Sequence, residues 1–316
     1  MVIGFLIRRI AQAVVVLFFV TVALMMLEHI FPGGPVRALV GQRATPQQIA
    51  YYNHLYGFDQ PIYVQYVKWI GQLLRGNLGY SPRLNVTVAS EIALYLPKTM
   101  LLVALGLVVS LIFGLPLGIY QAVRRYTPGD YALTGVAFVG YAAPVFLVGL
   151  MLIDWFSLHW RLFPSEAPQG SSVAAILSQP RALVLPVFCF AFVLFALWSR
   201  YMRSSVMDNL VQDYVRTARA KGASERRVLW GHVFRNSLLS IVTLLGLQIP
   251  FMVAGVVAVE VVFNYPGMGL AFYQAAENVD FPTLLGFTVV ATLVTVAANL
   301  LADIGYAILD PRVRYS

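Results

Sequence analysis

Asp213 to Asn236, DYVRTARAKGASERRVLWGHVFRN, is the one long polar and basic stretch in the second half of an otherwise oily chain. Six of the 22 Lys and Arg residues lie in it: Arg216, Arg219, Lys221, Arg226, Arg227 and Arg235. Arg200 and Arg203, just before it, raise the cluster to eight. The stretch reads as two short helices around a glycine. Asp213 suits an N-cap, Arg219 and Lys221 stand where a helix C-terminus favours cations, and Gly222 suits the left-handed position after a helix. Ser224 is placed to cap the second helix, with Glu225 in its first turn.

The surroundings decide what such a piece can be. The chain has 316 residues, 59% hydrophobic and 11% charged, where soluble domains carry about 25% charged residues. This composition predicts an all-α integral membrane protein. The net charge of +8 is tested for sidedness rather than taken as a nucleic-acid signal. Cys189 is the single cysteine and reads as a small core hydrophobe.

Six transmembrane helices are expected. The first is Ile10–Leu27, behind Arg8 and Arg9, too long for a secretory h-region. The others are Thr99–Tyr120, Ala132–Leu158 interrupted by Pro144, Ala182–Trp198, Leu238–Phe263 and Pro282–Leu309. Three parts are expected: an N-terminal helix at 1–31, a loop subdomain at 32–98, and a core at 99–316 containing the loop 200–236. Within 32–98, Thr45-Pro46-Gln47-Gln48 combines an N-cap, a first-turn proline and a capping-box glutamine, and Gly57 ends that helix. Tyr63, Tyr66, Ile70 and Leu73, with Trp69 beside them, fit either a helix at the headgroup level or a small packed subdomain.

An even number of spans puts both termini on one side. Fourteen of the 22 basic residues fall on that side, and six of the remaining eight lie in the long first loop. Long loops count little in the positive-inside rule, which leaves a contrast of fourteen to two. The termini and Asp213–Asn236 are therefore expected in the cytoplasm, and the long first loop, the 159–181 loop and the 264–281 loop outside.

Several chemistries find no support. The three lysines follow Val67, Pro97 and Ala220, so no Gly-Lys pair can form a phosphate-cradling loop. His29, His54, His159 and His232 are scattered without metal-ligand spacing. Neither a catalytic residue nor a metal or cofactor site is expected. The ionisable groups in or near apolar helices are Asp154, Glu260 and Asp303. Such residues cost about 2.5–3.5 kcal/mol at a bilayer centre and usually face a bundle interior or water. Glu260 reads as an outer-gate residue, or equally as a structural tie to Tyr265-Pro266-Gly267. Asp303 is placed to pair with a cytoplasmic-side arginine. Gln248 and Asn299 are candidates for the pathway or for helix–helix hydrogen bonds.

A basic helix pair could read DNA, but one tethered between two spans could hardly reach a major groove. Docking of another protein is the alternative. Val215, Ala218, Val228, Leu229, Trp230, Val233 and Phe234 give the stretch an apolar side, and Trp and Arg are typical interface anchors. Rest on lipid headgroups remains a third reading. Use of Glu260 and Asp303 by an ion-coupled carrier is a further alternative.

The residues also carry a resemblance. Arg216-Thr217-Ala218, followed by Gly222, resembles the EAA loop of ABC-importer permeases in the form Y-V-R-T-A-R-A-K-G, with the Glu-Ala-Ala start degraded to Arg-Thr-Ala. Leu55 to Pro61, Gly76 to Ser81 (with Asn77 in place of Asp), Glu260 to Gly269 and Asn299 to Arg314 resemble further motifs of the same family. The resemblance covers nearly the whole chain. The long first loop is similar to that of the B-type subunit, the first of two paired permeases in dipeptide, oligopeptide, nickel and glutathione importers. It implies the permease half of an importer in the bacterial inner membrane, for short peptides, with nickel, glutathione or haem as the alternative cargo, and with a second permease, two ATPase subunits that hold ATP and Mg, and an external substrate-binding protein. It implies coupling to the ATPase through Arg216, Thr217, Ala218, Lys221, Gly222, Ala223, Trp230 and Arg235. Glu260, Tyr265, Pro266, Gly267 and Gln248 become gate or pathway candidates, and Asn299 and Asp303 structural polar residues.

Overall fold

A computed structural model describes residues 2–30, 36, 44–81 and 83–309, and these are almost wholly helical. Five of the described helices are long and apolar enough to cross a membrane, or six if one bent pair counts as a single span. The all-α membrane architecture expected from composition is the one observed. The chain divides into two compact units, Met1–Thr99 with Pro266–Ala297, and Met100–Tyr265 with Ala298–Ser316.

In the first unit, α1 (Val2–Ile30) is followed by α2 (Pro46–Tyr56) and α3 (Ile62–Leu74). Thr45 caps α2 reciprocally: the Gln48 N–H donates to Thr45 Oγ1 at 3.3 Å and the Thr45 N–H to Gln48 Oε1 at 3.0 Å. Gly57, at φ 72°, ends α2, and the Phe58 N–H returns to the Asn53 carbonyl at 2.8 Å. α3 rests one edge on α1. Tyr66 places its hydroxyl 2.9 Å from Thr21 Oγ1 and its ring edge-on to Phe18 at 5.8 Å. Tyr63 and Leu74 on α3 stay exposed. A two-residue hairpin, Tyr80–Ser81 (β1) against Val86–Thr87 (β2), leads into α4 (Val88–Val123). α12 (Met268–Glu277) and α13 (Phe281–Leu309), the latter as far as Ala297, complete this unit. Val88, Ile92, Met268 and Phe287 form a small core here, and the Met268 N–H donates to Thr99 Oγ1 at 2.8 Å.

The second unit contains the rest of α4, then α5 (Pro128–Ala142), α6 (Val145–Leu152) running on as a π-helical turn to His159, and α7 (Val173–Leu177). α8 (Pro180–Leu210) follows, then α9 (Asp213–Ala220), α10 (Glu225–Arg227) with a π-helical turn Val228–Val233, and α11 (Phe234–Val262). α8 is the axis of this unit. Cys189, Trp198, Met202 and Val206 on it are wholly buried, packed by α4, α5, α6 and α11. Two features let α8 sit so deep. Gly118 on α4 lies so close that a Cβ there would stand 2.5 Å from the Ser199 carbonyl oxygen. At Gly114, one turn earlier, it would stand 3.0 Å from Trp198 Cβ. This is the close backbone approach that small-xxx-small spacing permits between membrane helices.

The third expected span is broken rather than merely interrupted. α5 and the Val145–His159 helix meet at 110°. Pro144 excludes the α conformation from the residue before it, and Ala143 is accordingly extended at φ −71°, ψ 132°. The fourth runs well past Trp198. At 31 residues and about 1.5 Å per residue, α8 is longer than a hydrocarbon core of ~30 Å, with Arg200 and Arg203 toward its C-terminal end.

Candidate functional site

The Asp213–Asn236 stretch folds as a stiff cap on the second unit. α9 begins one residue earlier than an N-cap at Asp213 would place it. Gln212 holds the N-cap position without a side-chain bond, and Asp213 sits in the first turn, where it still complements the helix dipole. There Asp213 meets Arg216 at 3.4 Å, and its backbone carbonyl accepts the Thr217 hydroxyl at 2.9 Å. The exit from α9 is a complete Schellman motif. The Gly222 N–H donates to the Arg219 carbonyl at 2.9 Å and the Ala223 N–H to the Ala218 carbonyl at 3.1 Å, with Gly222 at φ 79°. Across this turn Arg219 clamps Glu225 with two bonds, Nε to Oε1 at 2.7 Å and Nη2 to Oε2 at 3.0 Å. Those bonds hold the Glu225 carboxyl below its usual range. Ser224 has the extended backbone of an N-cap, but its side chain makes no capping bond.

Most of the apolar side of this stretch turns inward. Val215, Val228 and Val233 are wholly buried in the core formed by α8 and α11, with Ala218, Leu229 and Phe234 packed against it. Polar rivets add to this. Tyr214 donates its hydroxyl to Asn209 at 2.7 Å, and Asn209 Nδ2 reaches Ser237 Oγ at 3.3 Å. What remains outward is basic and aromatic. Arg216, Thr217, Lys221, Gly222, Trp230 and Arg235 are exposed, while Ala218 and Ala223 are half-buried. The wide π-helical turn puts Trp230 on the surface at 48% exposure, its ring edge-on to Phe234 at 5.3 Å. The outward face is therefore a set of cations with one indole on a fixed backbone.

The gate candidates stand apart from this face along the sequence. Glu260 is wholly buried near the end of α11. The helix ends in a second Schellman motif with Asn264 in the left-handed position at φ 49°, and the Tyr265 N–H donates to the Glu260 carbonyl at 2.8 Å. Burial, and then the Glu260 carboxylate, push the Tyr265 hydroxyl up. The 159–181 loop fastens the same corner: the Ala167 N–H donates to the Phe263 carbonyl at 2.8 Å and Gln169 Nε2 to the Asn264 carbonyl at 2.7 Å. Pro266 is half-buried, and Gly267 is buried at the start of α12. Gln248 and Asn299 are half-buried on α11 and α13. Asp303 lies on α13, with its side chain outside the described residues. Asp154 is exposed on the π-helical turn after α6.

One pair was not anticipated from the sequence. Asp130, 1% exposed at the start of α5, accepts from Arg203 Nη2 of α8 at 2.9 Å and from the Tyr126 N–H at 2.9 Å. Thr127, the N-cap three residues before, was its only local signal. No group of three or more His, Cys, Asp or Glu able to hold a metal occurs among the described residues.

A multi-pass helical bundle with a rigid basic cap between two of its long helices defines a membrane protein of the permease class. The chain belongs to the family described as binding-protein-dependent transport system inner membrane component, which matches residues 114–315. Residues 2–103 match its companion, described as binding-prot-dependent transport system membrane comp, N-term. It is 36% identical over 314 residues, 99% of both chains, to the oligopeptide transport system permease protein AppB of Bacillus subtilis (strain 168). Identity to the dipeptide transport system permease protein DppB of Escherichia coli (strain K12) is 30%, over 98% of both chains. Identity to the glutathione transport system permease protein GsiC of Escherichia coli O6:H1 is 33%, over 99% of both. Among solved structures, the MetNI methionine ABC transporter shares the fold at a TM-score of 0.54 and 13% identity, over 69% of this chain and 97% of that one. The chain is thus a multi-pass inner-membrane component of a transport system.

Proposed function

We propose that this chain is the B-type permease subunit of an ATP-binding-cassette importer for short peptides. It forms half of the solute path beside a second, homologous permease. ATP and Mg are held by two partner ATPase subunits, one of which docks on the Asp213–Asn236 cap, and an external binding protein delivers the solute to the opposite face. Both termini and the cap lie in the cytoplasm. The carrying observation is the outward face of the cap: the chain has no phosphate-cradling loop, so an ATP-driven importer needs a docked partner, and this face offers the anchors for one. Arg216, Lys221, Trp230 and Arg235 are the anchors of that contact, Gly222 is the turn that fixes its angle, and Thr217, Ala218 and Ala223 supply the close-packed ground between. The similarity to oligopeptide and dipeptide permeases across nearly the whole length supports peptides as cargo.

The test is uptake of radiolabelled Ala-Ala into proteoliposomes holding the whole complex and its binding protein. Uptake requiring ATP inside and lost when this chain is omitted supports the reading. Uptake by this chain alone, driven by an ion gradient without ATP, would replace it with a secondary carrier. Glutathione, itself a tripeptide, is the second solute to test, given the glutathione-permease relative.

A further inference from the structure

The first unit contains a cavity of about 460 Å³ between the first turns of α4, α12, the turn before α13 and the loop at Arg83 and Leu84. α4 has 36 residues, about 54 Å at 1.5 Å per residue, so it outruns a ~30 Å hydrocarbon core. Its charged residues, Glu91 and Lys98, both precede the apolar run that starts at Thr99. The cavity therefore belongs to the solvated end of the unit.

Two lining residues each hold a buried polar atom that makes no hydrogen bond among the described residues: Glu91 Oε1 and Thr283 Oγ1. Their residues are 4% and 1% exposed. A buried acceptor left without a donor is costly, and more so when charged. Asp280, 6% exposed, is by contrast fastened. It accepts the Ser81 hydroxyl on one oxygen and, at 3.4 Å on the other, the backbone N–H of Thr283. Glu277 and Gln274 add oxygen acceptors, and Arg83 is the one cation among the described residues of the lining. Three carboxylates against one guanidinium leave the wall net negative if all are ionised. It thus offers acceptors and negative charge to a donor-rich cation. Without three close carboxylate or imidazole groups it lacks the ligand set for a metal. An alkylammonium needs only two or three acceptors around one nitrogen, with apolar wall for its carbon, which Leu84 and Ala271 supply.

We propose that this cavity receives the N-terminal ammonium of a short peptide at the outer face, held by Glu91 and Thr283 with Asp280 behind them. The proposal rests on the importer reading for the peptide, and on the arginine asymmetry for the side of the membrane.

The site has a built-in pH response. Burial first, and the Asp280 carboxylate second, push Glu91 up to about 7. The other charged or titratable groups around it are Arg83, Tyr95 and Glu277 in the wall, and Lys98 over the Tyr95 ring. A cation binds the ionised form of Glu91, so affinity rises with pH through neutrality. It falls again once the peptide ammonium, near 8, loses its proton.

The test uses the assembled complex in nanodiscs, without ATP or binding protein. Methylammonium, Ala-Ala and N-acetyl-Ala-Ala are titrated against the thermal unfolding midpoint at pH 6, 7 and 8. The expected result is a rise with methylammonium and Ala-Ala, larger at pH 7 than at pH 6, and none with the acetylated peptide. Glu91→Gln should remove the rise and its pH dependence, and Thr283→Val should weaken binding several-fold. Both variants should keep the wild-type gel-filtration profile. Equal protection by N-acetyl-Ala-Ala, or protection surviving in Glu91→Gln, would overturn the proposal. Because methylammonium probes the cavity without reference to cargo, ATP-driven Ala-Ala uptake by wild type with no ammonium protection refutes this site alone. Absence of Ala-Ala uptake refutes the importer reading.

Discussion

At Gly222 the structure separates backbone from side-chain requirements. A Cβ built on this residue meets nothing within 4 Å, while its φ is 79°. Replacement therefore costs conformation and not space. L-residues other than Asn and Asp lose about 1–2 kcal/mol in the left-handed region, and β-branched ones lose most. Gly222→Val is expected to abolish ATP-driven uptake while the protein still inserts to wild-type abundance. Gly222→Asn, bulky but tolerant of positive φ, should retain most of it. Uptake measured beside membrane abundance decides this, and equal failure of both variants would show that the position is closed by a partner instead. Trp230 poses the opposite question. It is half-exposed on a rigid turn, edge-on to Phe234, so the rest of its ring area is available to a partner. Truncation of an interface anchor commonly costs about 2 kcal/mol or more. Trp230→Ala should weaken ATPase attachment by about thirtyfold, read by titrating the purified ATPase onto nanodiscs. An unchanged Kd would place the indole against lipid.

Between elements, the decisive contact is α4 on α8. Gly118 faces backbone atoms, the Ser199 carbonyl at 2.5 Å and the Arg203 nitrogen at 3.1 Å from a built Cβ, and backbone cannot swing aside. Gly118→Val should force the helices apart, with a loss of about 1–3 kcal/mol or more from overpacking. It should lower the unfolding midpoint in detergent and open α8 to proteolysis. Gly135 on α5 is the internal control, since a Cβ there meets nothing within 4 Å. Gly135→Ala should be neutral or stabilising by up to about 1 kcal/mol through helix propensity. The same contrast shows what could be read in advance. Caps and breaks were legible because their signals are local: Thr45 with Gln48, Gly57, Gly222 and Pro144 each act within a few residues. The Gly114–Gly118 spacing stood in plain view, but nothing local says which helix will fill the groove. Asp130 and Arg203 were illegible as a pair, since 73 residues separate them. Only the crossing of α5 and α8 brings the carboxylate under the guanidinium. Glu91, Thr283 and Asp280 escaped notice for the same reason.

For the whole molecule, periodicity and charge predict helices and side but not how helices bend. Ala132–Leu158 had the length and apolarity of one span interrupted at Pro144, and only the geometry shows that the two halves meet at 110°. The outward apolar face expected on the cap was likewise mostly its own anchor, because sequence shows that Val215, Val228 and Val233 are apolar but not which way they turn. Sidedness rests on the fourteen-to-two contrast of basic residues, and the chain offers a clean way to test it. Its single thiol, Cys189, is 0% exposed in the core of α8, so the natural chain should resist a membrane-impermeant maleimide from either side. Ser171 and Ser224 are both exposed, and the Ser224 side chain makes no capping bond that a substitution would break. In intact cells stripped of any outer membrane, Ser171→Cys should label at once. Ser224→Cys should label only after the membrane is opened. Adding Cys189→Ala to each should leave both patterns unchanged. The opposite pattern would put the basic cap outside, out of reach of any ATP-hydrolysing partner, and the importer reading would fall with it.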